Sequence, residues 1–286
     1  MLLSLKDTVL EPSGTKAAIR QALMSPAGLR VVWVIVEAEE DVAVYEKFMR
    51  PDSTVVKTSE GSTGRKGHAN VESIVREIKE EVPVTHIMGI RDADYSRYKE
   101  GYKLPVNIFL TDHRDLEMTL LEADSVKQAL RSWTPDYDAA LAKCIPVCRH
   151  FGYLRIYNDV ADLSVVFHKN LSPTKYWDFN QHCIVEGWEL DSTSKFLALA
   201  GDKCTAEDVS AFITTHSLEQ ESFYDICRGH DLLKLLSQAL VHLQYKEENI
   251  MAKIIEEYSF DDFKTTRLYA SILVWQNEEG VSALVA

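Results

Sequence analysis

The feature that most constrains this chain is an unbroken apolar segment, Val31–Val36, which reads Val-Val-Trp-Val-Ile-Val. Every residue in it is β-branched or aromatic, and no polar residue alternates with the apolar ones. Such a segment is typical of a strand buried on both faces, and strands of this kind belong to parallel sheets covered by helices. A membrane-spanning helix needs roughly 20 apolar residues, so this run predicts a strand and not a membrane span.

Strand and helix patterns alternate along the first half of the chain. Apolar residues at helical spacing follow the first strand and lie between the later ones. The predicted order is β-α-β-α-β-β-α, which indicates an α/β fold with a mainly parallel sheet flanked by helices. The predicted strands are 31–36, 54–58, 85–91 and 106–111, and the predicted helices are 41–50, 71–82 and about 114–131.

The alternation of strand and helix patterns ends near residue 135. Pro135, Pro146 and Pro173 are expected to break the chain. Helical patterns return at about 205–216 and 229–250. We therefore predict a catalytic domain over residues 1–134 and a mostly helical C-terminal domain over residues 135–286.

Charge and cysteine usage limit the classes of function. The net charge of −13 does not favour free binding to nucleic acid, which depends on clustered Lys and Arg. Five cysteines are scattered without a CxxC pair, and Cys144, Cys148 and His150 lack a second cluster that would complete a zinc site. Reduced, buried thiols are the preferred interpretation. Asp7 and Glu11 interrupt any signal-peptide core, so a cytoplasmic protein without a membrane span is expected.

Three acidic residues follow buried strands directly. Glu37 comes after the first strand, and Asp92 and Asp94 come at the end of the third. Side chains two apart in an extended chain point the same way, and parallel strands place ligands at their carboxyl ends. If the two strands are neighbours, the three carboxylates meet at one edge, where their mutual repulsion favours a divalent cation. All-oxygen ligands suit Mg²⁺ or Mn²⁺. The alternative is a set of ordinary helix-cap and loop acids.

The order of these motifs, with a single Glu first and Asp-x-Asp later, resembles the Toprim domain of topoisomerases, primases and OLD-family nucleases. Further segments are similar to Toprim proteins encoded beside ABC-type ATPases, and in particular to the Toprim nuclease effectors of PARIS anti-phage defence systems. The segments that carry the resemblance are 36–45, 90–94, 111–117 and 227–233. It covers residues 31–121 best, and the remainder only through short patches.

The resemblance implies a role for each matching residue. Glu37 would be a metal ligand or general base, and Asp92 and Asp94 would hold Mg²⁺. Asp115 would add a metal ligand and Glu117 a catalytic carboxylate, unless both are helix-start acids favoured by the helix dipole. It also implies a partner ABC-type ATPase that holds a toxic effector inactive, and a homodimer when the effector is active.

One position departs from the Toprim pattern. Toprim motifs usually have Gly after the first Glu, and this chain has Ala38. If that position required a positive φ, Ala would fit it less well.

Basic residues near the acidic motifs are candidates for contact with substrate phosphates. Arg65 and Lys66 lie with His68 in a Gly-rich loop that lacks the Walker A spacing. A solvated basic loop is the alternative interpretation. His230 follows Gly229 and precedes a long helix, so it is either a substrate-binding residue or a structural one.

The predicted function is metal-dependent cleavage of a phosphodiester bond in nucleic acid, with DNA, tRNA and other RNA all open as substrates. A chain of 286 residues leaves little room for the tyrosine domain and gates of a topoisomerase. Two alternatives remain. One is a non-catalytic regulatory scaffold that docks on an ATPase, and the other is a metal-dependent phosphatase of small phosphoesters.

Overall fold

The computed structural model describes residues 12–59, 67–167, 171–240 and 246–285. The chain forms two compact units that are not consecutive in sequence. The first unit contains residues up to 93, 103–112 and 259 onward, and the second contains 94–102 and 113–258. The compact units therefore differ from the predicted division between residues 134 and 135.

The first unit is built on a four-stranded parallel sheet with helices packed on it. From one edge to the other the strands are β2 (Thr54–Thr58), β1 (Val32–Val36), β3 (His86–Arg91) and β4 (Ile108–Leu110), and every neighbouring pair is parallel. The α/β fold and the order β-α-β-α-β-β-α predicted from sequence are confirmed. Its elements are α1 (Pro12–Leu23), β1 (Val32–Val36), α2 (Glu39–Tyr45), β2 (Thr54–Thr58), α3 (His68–Glu81), β3 (His86–Arg91), β4 (Ile108–Leu110), α12 (Phe260–Lys264) and α13 (Arg267–Glu279).

Burial explains why β1 has no polar alternation. All five of its residues are buried, because helices cover the sheet. Ile35 belongs to a core that also contains Ile19 of α1 and Ile74 of α3. A Cβ built on Gly89 of β3 would lie 2.5 Å from Cγ1 of Val71, so only glycine allows α3 to pack this closely on the strand.

The C-terminal segment completes the first unit. Phe263 of α12 stacks on Phe48 with ring centroids 4.7 Å apart, and Leu284 forms a β-bridge with Met49. The helical C-terminal half predicted from sequence is confirmed as helical. Its last residues, from Ser259 onward, nevertheless pack within the unit that holds the parallel sheet.

The second unit is mainly helical and contains one short antiparallel hairpin. The helix predicted over 205–216 is present. The pattern over 229–250 corresponds to two helices, Gly229–Ala239 and Glu247–Glu257, and residues 241–245 lie outside the described part. Its elements are α4 (Leu116–Glu122), α5 (Asp124–Trp133), α6 (Tyr137–Val160), β5 (Trp177–Asp178), β6 (Cys183–Ile184), α7 (Trp188–Ala200), α8 (Ala206–Thr215), α9 (Phe223–Ile226), α10 (Gly229–Ala239) and α11 (Glu247–Glu257).

Two predictions about this unit are wrong in detail. The helix predicted over 114–131 is two helices, because Ala123 has an extended backbone with φ −61° and ψ 137°. Pro146 does not break the chain but lies inside α6, a helix of 24 residues. The missing N–H of a proline removes one hydrogen bond, and burial of neighbours such as Val147 and Phe151 offsets that loss.

The cysteines of the second unit are free. Cys144, Cys148, Cys204 and Cys227 are buried, and none of the five forms a disulfide. Burial raises the pKa of the Cys144 thiol to about 12, so it stays protonated. No helix within the described residues combines the length and apolarity needed to cross a membrane.

Candidate metal centre

Glu37 and Asp92 meet at the carboxyl edge of the sheet. Strands β1 and β3 are parallel neighbours, which is the arrangement that the sequence prediction required. Glu37 directly follows β1, and Asp92 directly follows β3. Oε1 of Glu37 accepts a hydrogen bond of 3.0 Å from the backbone N–H of Asp92. Two acids 55 residues apart in sequence are therefore joined at one edge.

The backbone of Glu37 is held by the end of β2. The Thr58 hydroxyl donates to the Glu37 carbonyl at 3.1 Å, and the Ser59 N–H donates to the Val36 carbonyl at 2.7 Å. Ser59 is fully buried, and its carbonyl accepts from the Asn70 side chain of α3. The end of β2 and the start of α3 therefore fix the chain where Glu37 leaves the sheet.

Gly67, at the start of α3, approaches the Glu37 carboxylate closely. Its φ of 81° and ψ of −159° lie in a region that is open essentially to glycine alone. A Cβ built on Gly67 would lie 3.2 Å from Oε2 of Glu37. The backbone conformation therefore requires glycine here, and a Cβ would also press the Glu37 carboxylate to shift by a few tenths of an ångström.

Ala38 fits its position without strain. Its φ is −133° and its ψ is 172°, an extended conformation that any residue adopts. Its N–H donates to Oδ2 of Asp41 at 2.8 Å, so the Asp41 carboxylate caps the start of α2. Ala38 therefore causes no backbone strain at this position.

The peptide groups on either side of Asp92 are both anchored. The N–H is bound by Glu37, and the carbonyl accepts a hydrogen bond of 2.8 Å from Nη1 of Arg91. Arg91 is buried, and its Nε lies 2.9 Å from Oε1 of Glu72 on α3. The last residue of β3 thus positions the acid that follows it, while the Asp92 side chain stays partly exposed.

Asp94 belongs to the second unit and has a different backbone conformation. Strand β3 ends at Arg91, and Asp94 lies in a turn with φ 45°. The extended geometry assumed from sequence for Asp92–Asp94 is therefore wrong. Within its own unit, the Asp94 N–H donates to the Arg114 carbonyl at 2.7 Å, and Oδ1 lies 3.6 Å from Nη2 of Arg114.

Asp115 and Glu117 lie at the start of a helix, as predicted. Asp115 is the N-cap of α4 and is buried. Its Oδ1 accepts from the Met118 N–H at 3.1 Å, while its Oδ2 accepts from Arg114 and from the Gly229 N–H at 2.9 Å. Asp115 therefore caps one helix and anchors the start of another, and its metal-ligand role stays a prediction.

The Gly-His-Asp segment packs against the same helix start. A Cβ on Gly229 would lie 2.4 Å from the Glu117 Cβ, so this close approach requires glycine. His230 places Nδ1 2.8 Å from Oε1 of Glu247, and Asp231 forms a buried ion pair of 2.7 Å with Arg155. Asp231 is thus structural in this fold. The substrate-binding role of His230, like the catalytic role of Glu117, stays a prediction.

The basic residues predicted to contact phosphate belong to a loop outside the described part of the chain. Arg65 and Lys66 lie outside the described residues, in the segment 60–66. Among the described residues, no group of three or more His, Cys, Asp or Glu side chains is arranged to hold a metal ion.

A buried histidine that the sequence interpretation did not single out lies in the second unit. His113 places Nδ1 3.0 Å from Oδ1 of Asp225 and Nε2 2.6 Å from Oε2 of Glu122. Burial alone would lower the pKa of His113, but the hydrogen bonds to Asp225 and Glu122 outweigh it and raise the pKa. Asp225 is also paired with Arg97 at 2.8 Å.

Sequence reasoning also missed the two buried arginines, Arg91 and Arg114. A signal for both was present, since each stands directly before an acid of the motifs, Asp92 and Asp115. A buried arginine is rare unless it is paired, and each of these two is paired with an acid, Arg91 with Glu72 and Arg114 with Asp115.

Comparison with known proteins does not assign the chain to a family. No protein-family model matches the sequence, and a search of curated proteins finds no significant match.

Proposed function

We propose that this chain is a Toprim-type, metal-dependent nuclease in which Glu37 and Asp92 hold Mg²⁺ or Mn²⁺. The observation that carries the proposal is the hydrogen bond from the Asp92 N–H to Glu37 at the carboxyl edge of two parallel strands. Ligands of open α/β sheets bind at this edge. The sequence motif also implies a metal-ligand role for Asp94, two residues further along the chain.

The chemistry of the two donor groups supports the choice of ion. Both carboxylates are partly exposed and follow strands whose ends are fixed by hydrogen bonds. Carboxylate oxygens are the ligands that Mg²⁺ prefers. Bound there, the ion would supply charge stabilisation to the attacking and leaving oxygens of a phosphodiester. Glu37 contributes by orienting Asp92, and Arg91 contributes by fixing the carbonyl of the same residue.

The net charge supports a stored, partner-bound form. At −13, the chain is repelled by nucleic acid unless cations or a partner intervene. The resemblance in sequence suggests an ABC-type ATPase as that partner and an anti-phage toxin as the role. Co-expression with a candidate ABC-type ATPase should yield a complex at ordinary salt. Consistent elution of the chain alone would count against the partner.

The alternative is a non-catalytic scaffold that docks on the ATPase. The observation that favours it is Asp115, whose two oxygens are both used in hydrogen bonds within the fold. In that case the third acidic motif would serve folding alone, and the protein would act through its surface.

The test is cleavage of cellular nucleic acids by the wild-type protein and by Glu37→Gln. We expect nucleic acids extracted from cells that express the wild type to be cut, and those from cells that express Glu37→Gln to be intact. Glu40→Gln is the matched control, because Glu40 is an exposed acid of the adjacent helix α2. Equal cutting by all three proteins would refute the catalytic role of Glu37. No cutting by any of them, with the ATPase complex intact, would favour the scaffold.

A further inference from the structure

A half-open cleft of about 350 Å³ lies in the first unit, between helix α3 and the turn that leads into β4. Its apolar walls include Val75 of α3 and Pro105 and Val106 of the turn. Small-molecule sites have volumes in this range and are mostly apolar, with a few polar groups that fix the ligand. The turn precedes β4, so the cleft lies where the parallel strands begin, at the opposite edge of the sheet from Glu37.

The turn forms a fixed wall of the cleft. The Ile108 N–H donates to the Pro105 carbonyl at 3.2 Å, and Asn107 has a φ of 61°, as in tight turns that favour Gly or Asn at the third residue. The Asn107 carbonyl accepts a hydrogen bond of 2.8 Å from the Gly89 N–H of β3. Val106 is left 87% exposed, so the turn presents an apolar side chain that the core does not use.

The side-chain amide of Asn107 is oriented by a tryptophan. The indole N–H of Trp275 donates to Oδ1 of Asn107 at 3.2 Å. An indole nitrogen can only donate, so this contact identifies the amide oxygen and leaves the NH₂ group as the other end. That NH₂ group has no hydrogen-bond partner among the described residues. Asn107 therefore brings an oriented donor to the lining of the cleft.

Four charged side chains also line the cleft, and two of them are neutralised within the fold. Oε1 of Glu72 lies 2.9 Å from Nε of Arg91. Nζ of Lys79 lies 3.4 Å from both carboxylate oxygens of Glu279. Neither of these two side chains needs a ligand to balance its charge.

The other two charged side chains, Arg76 and Glu80, are exposed and lie one helical turn apart on α3. Neither forms an ion pair or a hydrogen bond within the part of the chain that the structure describes. Glu77, the acid next to Arg76, is paired with Lys16 at 2.6 Å. Residues four apart on a helix are neighbours on one face, with about 5–6 Å between their Cβ atoms. One cation and one anion therefore stand side by side at an apolar cleft.

We propose that this cleft binds a small zwitterion with an apolar body, namely a free α-amino acid with an apolar side chain. Arg76 and the Asn107 amide bind the α-carboxylate, which has only acceptors, and Glu80 binds the α-ammonium group, which has only donors. The walls formed by Val75 and Val106 contact the apolar side chain. The inference goes beyond the proposed nuclease function and does not depend on it, because the cleft and the carboxyl edge lie at opposite ends of the strands.

The experiment is calorimetric titration of the full chain with L-leucine and with L-phenylalanine. We expect saturable binding of at least one of them. N-acetyl-L-leucine lacks the charged amine and L-leucine methyl ester lacks the charged carboxylate, so each should bind about 10-fold more weakly than L-leucine. If neither amino acid binds saturably, or if either blocked analogue binds as tightly as L-leucine, the inference is overturned.

Two variants test whether binding occurs in this cleft. Arg76→Gln should weaken binding of the amino acid by about 10-fold, because the carboxylate loses its cation. Arg30→Gln is the matched control and should bind like the wild type. Arg30 is also an exposed arginine of the first unit without an ion pair among the described residues, but it does not line the cleft. Equal affinities in the two variants would overturn the inference.

Val106→Ser keeps the test decisive if Arg76→Gln fails to fold. A side chain that is 87% exposed adds little to the stability of the fold, so this variant should melt like the wild type. It should bind the amino acid about 4-fold more weakly, the loss expected for one methyl group that the ligand no longer buries. Unchanged affinity in Val106→Ser would remove the turn from the site and overturn the inference.

Discussion

The backbone N–H of Asp92 donates a hydrogen bond of 3.0 Å to the Glu37 carboxylate across the carboxyl ends of two parallel strands. The Glu37 side chain, which we propose binds a cation, therefore also carries part of the local structure. Substitutions at Glu37 consequently need to separate its hydrogen bond from its charge.

Glu37→Gln should lose metal binding but keep stability. Glutamine retains an Oε1 that accepts from Asp92, whereas it loses the negative charge that attracts the ion. Glu37→Ala loses the charge too, and it leaves the partly buried N–H of Asp92 without its acceptor, which costs about 1–3 kcal/mol of stability. Urea unfolding in chelator and Mn²⁺ calorimetry measure the two effects. A Glu37→Ala variant as stable as Glu37→Gln would show that the hydrogen bond contributes nothing.

Ile35→Ala should destabilise the protein strongly without changing the ligands of the site. Ile35 is fully buried in β1 among side chains of α1 and α3. Removing a buried isoleucine side chain to the β-carbon costs about 2–5 kcal/mol. Urea unfolding should therefore rank Ile35→Ala well below Glu37→Gln. The opposite ranking would make Glu37 a structural residue.

Gly67→Ala should reduce both stability and metal affinity. The backbone strain costs about 1–3 kcal/mol, and the new methyl group would crowd Oε2 of Glu37. Gly280→Ala is the control in the same unit, with φ 68° and open space around the added Cβ. It should lose stability but bind Mn²⁺ normally. Unchanged metal affinity in Gly67→Ala would place the ion away from this side of Glu37.

Stability should fall as the pH rises through the raised pKa of His113. Protonated His113 donates to both Asp225 and Glu122, and in the unfolded chain its pKa returns to about 6.5. Its contribution is therefore complete below that value and is lost above the folded pKa. Unfolding free energies measured between pH 6 and pH 9 should decline in the wild type. The unfolding free energy of His113→Asn should change less over the same pH range. If the pH profiles of the variant and the wild type are parallel, His113 is not the cause of the decline.

The ionisation of Asp225 affects stability at the acidic end of the pH range, because its pKa is lowered. Burial alone would raise this pKa, but the hydrogen bond to His113 and the charge of Arg97 lower it. A carboxyl with a lowered pKa stabilises the fold above its unfolded value, near 3.9, and that stabilisation is lost as the pH falls. The pair of His113 and Asp225 should therefore stabilise the fold most at pH values above the unfolded pKa of Asp225, near 3.9, and below the unfolded pKa of His113, about 6.5.

The sequence by itself determined the sheet and the placement of its acids. The apolar run of β1 required burial on both faces, and the alternation of strand and helix patterns required parallel neighbours. Because parallel strands all end at one edge, the sequence alone places Glu37 and Asp92 together. The helix start at Asp115 followed in the same way from local chemistry.

Only the tertiary structure decided what each acid contacts. Asp94 departs from the strand direction because of its positive φ, which no pattern in the sequence marks. Asp115 receives a hydrogen bond from Gly229, a residue 114 positions away. The last helices pack within the unit of the parallel sheet through contacts such as Phe48 with Phe263. Periodicity reports which face of an element is buried, whereas the partner that buries it is chosen by long-range packing, and single-sequence patterns do not encode that choice.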